Sequence, residues 1–217
     1  LKTETREVRV VVTAALPSEP FPARDGQLVL APGTRIEAVN YAGGSPGSAA
    51  QILLRDGAGT RPVGRLTVSG DPVRATPLSP PAALPSDGLP ERIDLRNALR
   101  IDLPLDRDGE SLGGWRRPTQ FDPAAAPAFR VKRDRAVVLT LTNRATVPTT
   151  FHLHGHPMRL LDRLDDGWKP FWLDTLAIGP GQTQRVAFKA ESAGRWLLQS
   201  MAADWAAPRL IHHYVVE

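Results

Sequence analysis

The stretch "AIGPGQTQRVAF" (residues 177–188) decides the fold. A short apolar run meets Gly179-Pro180-Gly181, after which polar and apolar residues alternate and bring Val186 and Phe188 to one side. Proline presets φ and glycine accepts positive φ, so Pro180-Gly181 predicts a tight turn. A period of two with β-branched and aromatic side chains predicts a half-buried strand beyond it. Working outward, the same pattern recurs at 128–145, 149–164, 172–190, 194–201 and 209–217, and upstream at 6–16, 26–42, 49–56, 63–70 and 91–105. None of these runs keeps a helical period beyond two turns. The segment "AADWAAP" (202–208), closed by Pro208, is the exception and predicts a short helix. Strands at this spacing with Pro-Gly turns predict an all-β sandwich or Greek-key barrel. Between the two sets lies "DPVRATPLSPPAALPSDGLPE" (71–91). Proline removes donors and fixes φ, so this stretch reads as an extended linker. The expected division is a partial domain at 1–75, a linker at 76–90 and a second domain at 91–217.

The 217 residues are enough to bury a sizeable core, and a hydrophobic content of 41% is ordinary for a globular chain. No apolar run approaches the roughly 20 residues that span a bilayer, so no membrane insertion is expected. The start, "LKTETREVRVVV", lacks the charged, apolar and small-residue order of a signal peptide. A chain beginning at Leu1 is expected to have been processed or cut from something longer. Lys and Arg number 27 against 23 Asp and Glu, a net charge of +4. The longest basic cluster, "RVKRDR" (130–135), is broken by Asp134, which reads as a solvated face and not a phosphate stripe; no nucleic-acid partner is expected. There is no cysteine, which excludes disulfides, thiolate zinc sites, iron–sulfur clusters and the thiolate that a blue-copper centre requires. No G-x-G-x-x-G, P-loop or G-x-S-x-G motif occurs.

Three of the five histidines lie in "FHLHGHP" (151–157). Residues two apart on a strand share a face, so His152, His154 and His156 are the candidate metal ligands. Two imidazoles on one face can hold Zn²⁺ or Cu²⁺ when other ligands join them. The same pattern fits histidines that simply hydrogen-bond in a half-buried strand, and the residues alone leave both readings open. Met158 and Met201 offer thioethers that would suit Cu(I); the plainer reading makes Met201 a core-filling side chain, with Trp205 and Leu210. His212 and His213 are adjacent on the last strand and face opposite sides, one expected toward solvent and the other packed. Asp162, Asp165 and Asp166 lie in "DRLDDGWKP" (162–170), which reads as a hairpin loop and not as an acid–base pair.

The order "TLTNRATVPTTFHLHGHPMRLL", "DTLAIGPGQTQRVAFKAESAGRWLL" and "HHYVVE" resembles the last cupredoxin domain of multicopper oxidases, over about residues 115–217. Residues 26–70 are more weakly similar to the end of that family's middle domain. The resemblance implies a cupredoxin-like Greek-key β-sandwich preceded by part of a second cupredoxin-like domain. It also implies a ligand set, and the carry-over is uneven. The family's first type 1 copper histidine falls on Thr149. The next two histidines, which serve the trinuclear cluster, fall on His152 and His154 and are kept. The family's His-Cys-His falls on Gln199, Ser200 and Met201, its second type 1 histidine on Trp205, and its axial methionine on Leu210. Asp174-Thr175 matches a structural Asp-Thr of the family.

An alcohol stays protonated at neutral pH and is a poor ligand for soft metals, so Ser200 cannot take the role of the cysteine thiolate. The expectation is therefore a C-terminal cupredoxin portion of a longer, exported multicopper-oxidase-like protein with degenerate copper sites, acting in binding or scaffolding. The alternative is a copper-dependent oxidoreductase in which His152 and His154 complete a trinuclear cluster with histidines of an N-terminal domain. The resemblance implies copper at a residual site only, a periplasmic or otherwise exported location, and the parent's N-terminal cupredoxin domain as partner. A homodimer through the open β edges of residues 1–70 is a second candidate partnership.

Overall fold

The alternating runs fold into sixteen strands among the described residues, with two short 3-10 turns and no α-helix. The structure is a computed structural model that describes residues 2–217 except 4–7, 14–15, 42–44, 57–58, 72–73, 75, 77, 86–87, 106–113, 162–167 and 204–205. It divides into two compact units, one of residues 1–30 with 35–87 and the other of residues 31–34 with 88–217. The described residues of the Pro-rich 71–91 carry no strand.

The first unit holds β1 (Lys2–Thr3), β2 (Val8–Thr13), β3 (Leu16–Pro22), β4 (Ile36–Asn40), β5 (Ala49–Asp56) and β6 (Gly59–Thr67). They form two three-stranded sheets, ordered β1-β5-β6 and β3-β2-β4. Val8, Val10 and Val12 alternate into its interior, as a half-buried strand requires.

The second unit holds β7 (Leu99–Leu105), β8 (Arg130–Val131), β9 (Ala136–Asn143), β10 (Thr149–Leu153), β11 (Met158–Leu161), β12 (Trp168–Leu173), β13 (Thr175–Ile178), β14 (Thr183–Lys189), β15 (Gly194–Ala202) and β16 (Arg209–Val216). One five-stranded sheet is ordered β13-β10-β15-β16-β8 and the other β12-β11-β14-β9-β7. Pairing is antiparallel except where β7 runs parallel to β9 and β8 parallel to β16. The Pro180-Gly181 turn carries the chain from β13 in one sheet to β14 in the other. Gly181 has φ 68°, the left-handed value that favours glycine, and the Gln182 N–H closes the turn on the Gly179 carbonyl at 3.1 Å. Beyond it Val186 and Phe188 are fully buried, as their alternation predicts.

Between the sheets lies one core that includes Leu139, Leu141, Phe151, Leu153, Phe188, Leu198 and Tyr214. Each such side chain contributes roughly 1.5–3 kcal/mol of burial. The fold is the predicted all-β sandwich. Among the described residues of 202–208 no helix forms: Ala202 ends β15, Ala206 lies in a turn, Ala203 and Ala207 are bends, and Asp204 and Trp205 lie outside the described residues. The Ala203 N–H instead bonds the Pro148 carbonyl at 2.7 Å, so tertiary pairing overrides the local helical preference of alanine.

Candidate metal centre

Strand β10 runs between β13 and β15, which place His152 opposite Thr175 on one side and Gln199 on the other. The alternation of β10 sends Phe151 and Leu153 into the core, so Thr150, His152 and His154 belong to the outer face. Directly paired residues of neighbouring strands share a face, so Gln199 and Met201 of β15 and Ile211 and His213 of β16 belong to that face too.

His152 and His154 come together there. Their ring centroids are 4.2 Å apart with the planes at 65°. His152 Nδ1 lies 2.6 Å from Thr175 Oγ1, which fixes the ring orientation and leaves Nε2 out of this bond. The His154 main chain is anchored by its N–H to the Leu197 carbonyl at 3.0 Å. Its Nε2 is buried without a hydrogen-bond partner. Burial pushes the His154 pKa down, and the neighbouring His152 adds to this, while Gln199 and Asp174 oppose it. The ring is thereby held neutral, with a lone pair to offer.

The structure separates His156 from the pair, although the spacing suggests a trio. Gly155 adopts φ 83° and turns the chain, so the period of two ends at His154. His156 is buried, with Nδ1 2.6 Å from the Tyr214 hydroxyl and Nε2 accepting the Ser192 N–H at 3.2 Å. Both ring nitrogens are engaged. Among the described residues no three His, Asp or Glu side chains converge as a metal site would require.

The positions that the resemblance sets against type 1 copper ligands hold other chemistry. The Thr149 hydroxyl donates to Asn143 Oδ1 at 3.1 Å. Asn143, fully buried, also accepts the Ala145 N–H and donates to the Val147 and Ile178 carbonyls, each at 2.9 Å. Ser200 sits on the core face, 1% exposed, and its hydroxyl has no partner. Leu210 is part of the apolar core. Trp205 lies outside the described residues. A thiolate–imidazole copper site does not fit this donor set. The two methionines do not meet either: Met158 is fully buried in the core, whereas Met201 pairs with Thr150 on the outer face.

His212 and His213 do face opposite sides, but neither is exposed, contrary to expectation. His212 packs edge-on to Trp115 at 6.0 Å, and His213 edge-on to Phe121 at 5.6 Å. The segment 114–129 covers the last strand, bonding Arg116 to Ile211 in both directions and the Ala128 N–H to the His213 carbonyl. The Asp162–Asp166 loop lies outside the described residues. The parts of the site that the sequence did not single out are Thr175 as a support for His152, Asn143 as the hub under Thr149, and Tyr214. Only the Asp-Thr pair offered a signal for any of these.

Comparison with known proteins agrees with the fold. Residues 97–217 match the family described as multicopper oxidase. A stretch is 30% identical to the iron transport multicopper oxidase FET3 of Kluyveromyces lactis, covering 32% of this chain and 14% of that protein. Among solved structures, a multi-copper oxidase from Pseudomonas thermotolerans is similar at TM-score 0.76 and 24% identity, over 100% of this chain and 51% of that one. Lac15 from a marine microbial metagenome is similar at TM-score 0.75 and 22% identity, over 99% of this chain and 51% of that one. The chain thus spans about half the length of these structures and a smaller share of the curated relative.

Proposed function

Since the chain belongs to the multicopper oxidase family, we propose that it is the C-terminal portion of a longer, exported family protein that has lost its electron-entry copper and serves mainly in binding or scaffolding. The observation that carries this reading is the unpartnered Ser200 hydroxyl in an apolar core, where the family has a copper-bound thiolate. Thr149 supports it, because its hydroxyl is committed to a closed hydrogen-bond network around Asn143. The outer face of the β13-β10-β15-β16-β8 sheet, with His152, His154, Gln199 and Met201, is then the surface that meets the parent's N-terminal cupredoxin domain. Pairing of the first unit's strand edges with a second copy is a further partnership that the exposed rows of donors and acceptors would permit.

A second reading has one specific observation in its favour. His154 Nε2 is buried with no partner, beside a His152 ring already oriented by Thr175. Two imidazoles so placed fit two of the donors that a copper or zinc ion needs. Copper held there, with further histidines from another domain, would supply redox and oxygen-binding chemistry. In this reading the chain's own residues orient and desolvate the ion, and oxidoreductase activity belongs to the whole parent.

The deciding experiment is copper loading of the purified chain followed by dialysis and metal quantification by mass spectrometry, with the His152→Ala/His154→Ala double variant as control. No copper above the control supports the binding role. About one copper per chain, lost in the double variant, supports the residual site.

A further inference from the structure

His156 is the histidine of the H-x-H-x-H run that does not join the pair, and its hydrogen bonds define a single proton arrangement. The Tyr214 hydroxyl donates to the His154 carbonyl at 2.8 Å, which commits its only proton. It must therefore accept from His156 Nδ1 across the 2.6 Å contact, so Nδ1 carries the imidazole proton. Independently, the Ser192 N–H points at His156 Nε2 at 3.2 Å and requires that atom to be the acceptor. Two separate constraints select the same neutral tautomer. The chain of bonds then runs one way, from Ser192 N–H through His156 and Tyr214 to the carbonyl of His154.

The same turn is clamped from a second side. Trp196 donates its indole N–H to the Ser192 carbonyl at 2.9 Å and stands edge-on to His156 at 5.3 Å. A Cβ built on Gly155 would lie 2.0 Å from Trp196 Cε3, so the indole occupies the space any other side chain would need. Tyr214 and His156 are buried at 0% and 4% exposure, so the bond between them is shielded from competing water.

We infer that Ser192, His156 and Tyr214, with Trp196 locked over Gly155, form a positioning device that fixes the main chain at His154 and so sets how its imidazole stands against that of His152. His156 is by this account a positioning residue and not a metal ligand. The inference concerns the geometry of the pair; its consequence for metal affinity rests on the residual-site reading above.

The test uses the full chain labelled with ¹⁵N and ¹³C at histidine, together with Tyr214→Phe, which removes one hydroxyl and keeps the ring. In the unaltered chain His156 should show the Nδ1–H tautomer by two-bond N–H correlations. In Tyr214→Phe the His154 ring signals should shift or broaden, and the His154 amide, which bonds the Leu197 carbonyl at 3.0 Å, should exchange at least about ten-fold faster, since the main chain at His154 has lost its clamp. An Nε2–H tautomer at His156, or a Tyr214→Phe chain with unchanged His154 ring signals and His154 amide exchange, would overturn the inference. Copper(II) sulfate titrated into both chains adds a second readout. If the unaltered chain retains copper, Tyr214→Phe should bind it on the order of ten-fold more weakly at a temperature where both chains remain folded; equal affinity would count against the device. If the unaltered chain retains none, the residual-site reading fails, and the NMR result alone decides the positioning role.

Discussion

A hydroxyl buried among apolar side chains gives up its water and, without an acceptor, gains nothing in exchange. Ser200 is in that position, 1% exposed and opposite Leu210 and Phe151 in its sheet. Ser200→Ala removes the unsatisfied group and little volume, so it should stabilise the chain by about 1 kcal/mol. A raised urea midpoint at unchanged slope would show it, and a lowered midpoint would mean that the hydroxyl has a partner after all. Asn143 is the opposite case. Its amide satisfies the Val147 and Ile178 carbonyls, the Ala145 N–H and the Thr149 hydroxyl in a fully buried position. Asn143→Ala strands several buried backbone groups at once, and a loss of about 3 kcal/mol or more is expected in the same urea experiment. Thr149→Ala should cost much less, because only one bond of that network leaves with it.

Among the elements, the bend after β10 separates the pair from His156, and it depends on Gly155. Gly155→Ala would place a methyl group against the Trp196 ring at a backbone angle that L-residues avoid. The expected loss exceeds about 2 kcal/mol, read as a lowered melting temperature. If the loss stays within a few tenths, the indole is free to move and the clamp is loose. The same bend explains what the sequence could and could not disclose. The Pro180-Gly181 turn and the alternation to Val186 and Phe188 were legible because turn chemistry and burial are both local. His152 and His154 were legible as a pair for the same reason. The turning of His156 away from that pair was not, since a positive φ at Gly155 and a hydroxyl from Tyr214, 58 residues away, decide it. The covering of His213 by Phe121, and the Pro148 contact that keeps Ala203 from a helix, are likewise products of tertiary packing. Spacing arguments hold as far as a regular strand continues and fail where it bends.

Taken over the second unit as a whole, its buried and half-buried histidines predict how stability depends on pH. Burial is the leading cause of a lowered pKa at His154, His156 and His213; beside His213, Arg195 and Arg130 push further in the same direction. Glu191 opposes the shift at His156, and Asp122 opposes it at His213, each to a lesser degree. All three start from an ordinary value of 6.5, to which unfolding returns them. Below that pH the unfolded chain therefore binds more protons than the folded one, and the stability of unfolding must rise with pH there. The contribution is fully present above about pH 7 and is lost as the pH falls through the lowered folded values. Urea midpoints should accordingly be level from neutral to mildly alkaline pH and fall steadily from about pH 6.5 downward. Asp94 does not confuse this window. Its hydrogen bonds from Arg96 hold its pKa at about 2 against an ordinary 3.8, so its effect begins only in stronger acid. His213→Gln removes one of the three titrating groups without altering the other two and should make the acid limb shallower. A midpoint that rose as the pH dropped from 7 to 5 would mean that the folded chain takes up protons more readily than the unfolded one. Such a result would place the buried imidazoles beside acceptors or negative charge strong enough to outweigh their burial, and it would remove the basis for treating the His154 ring as neutral.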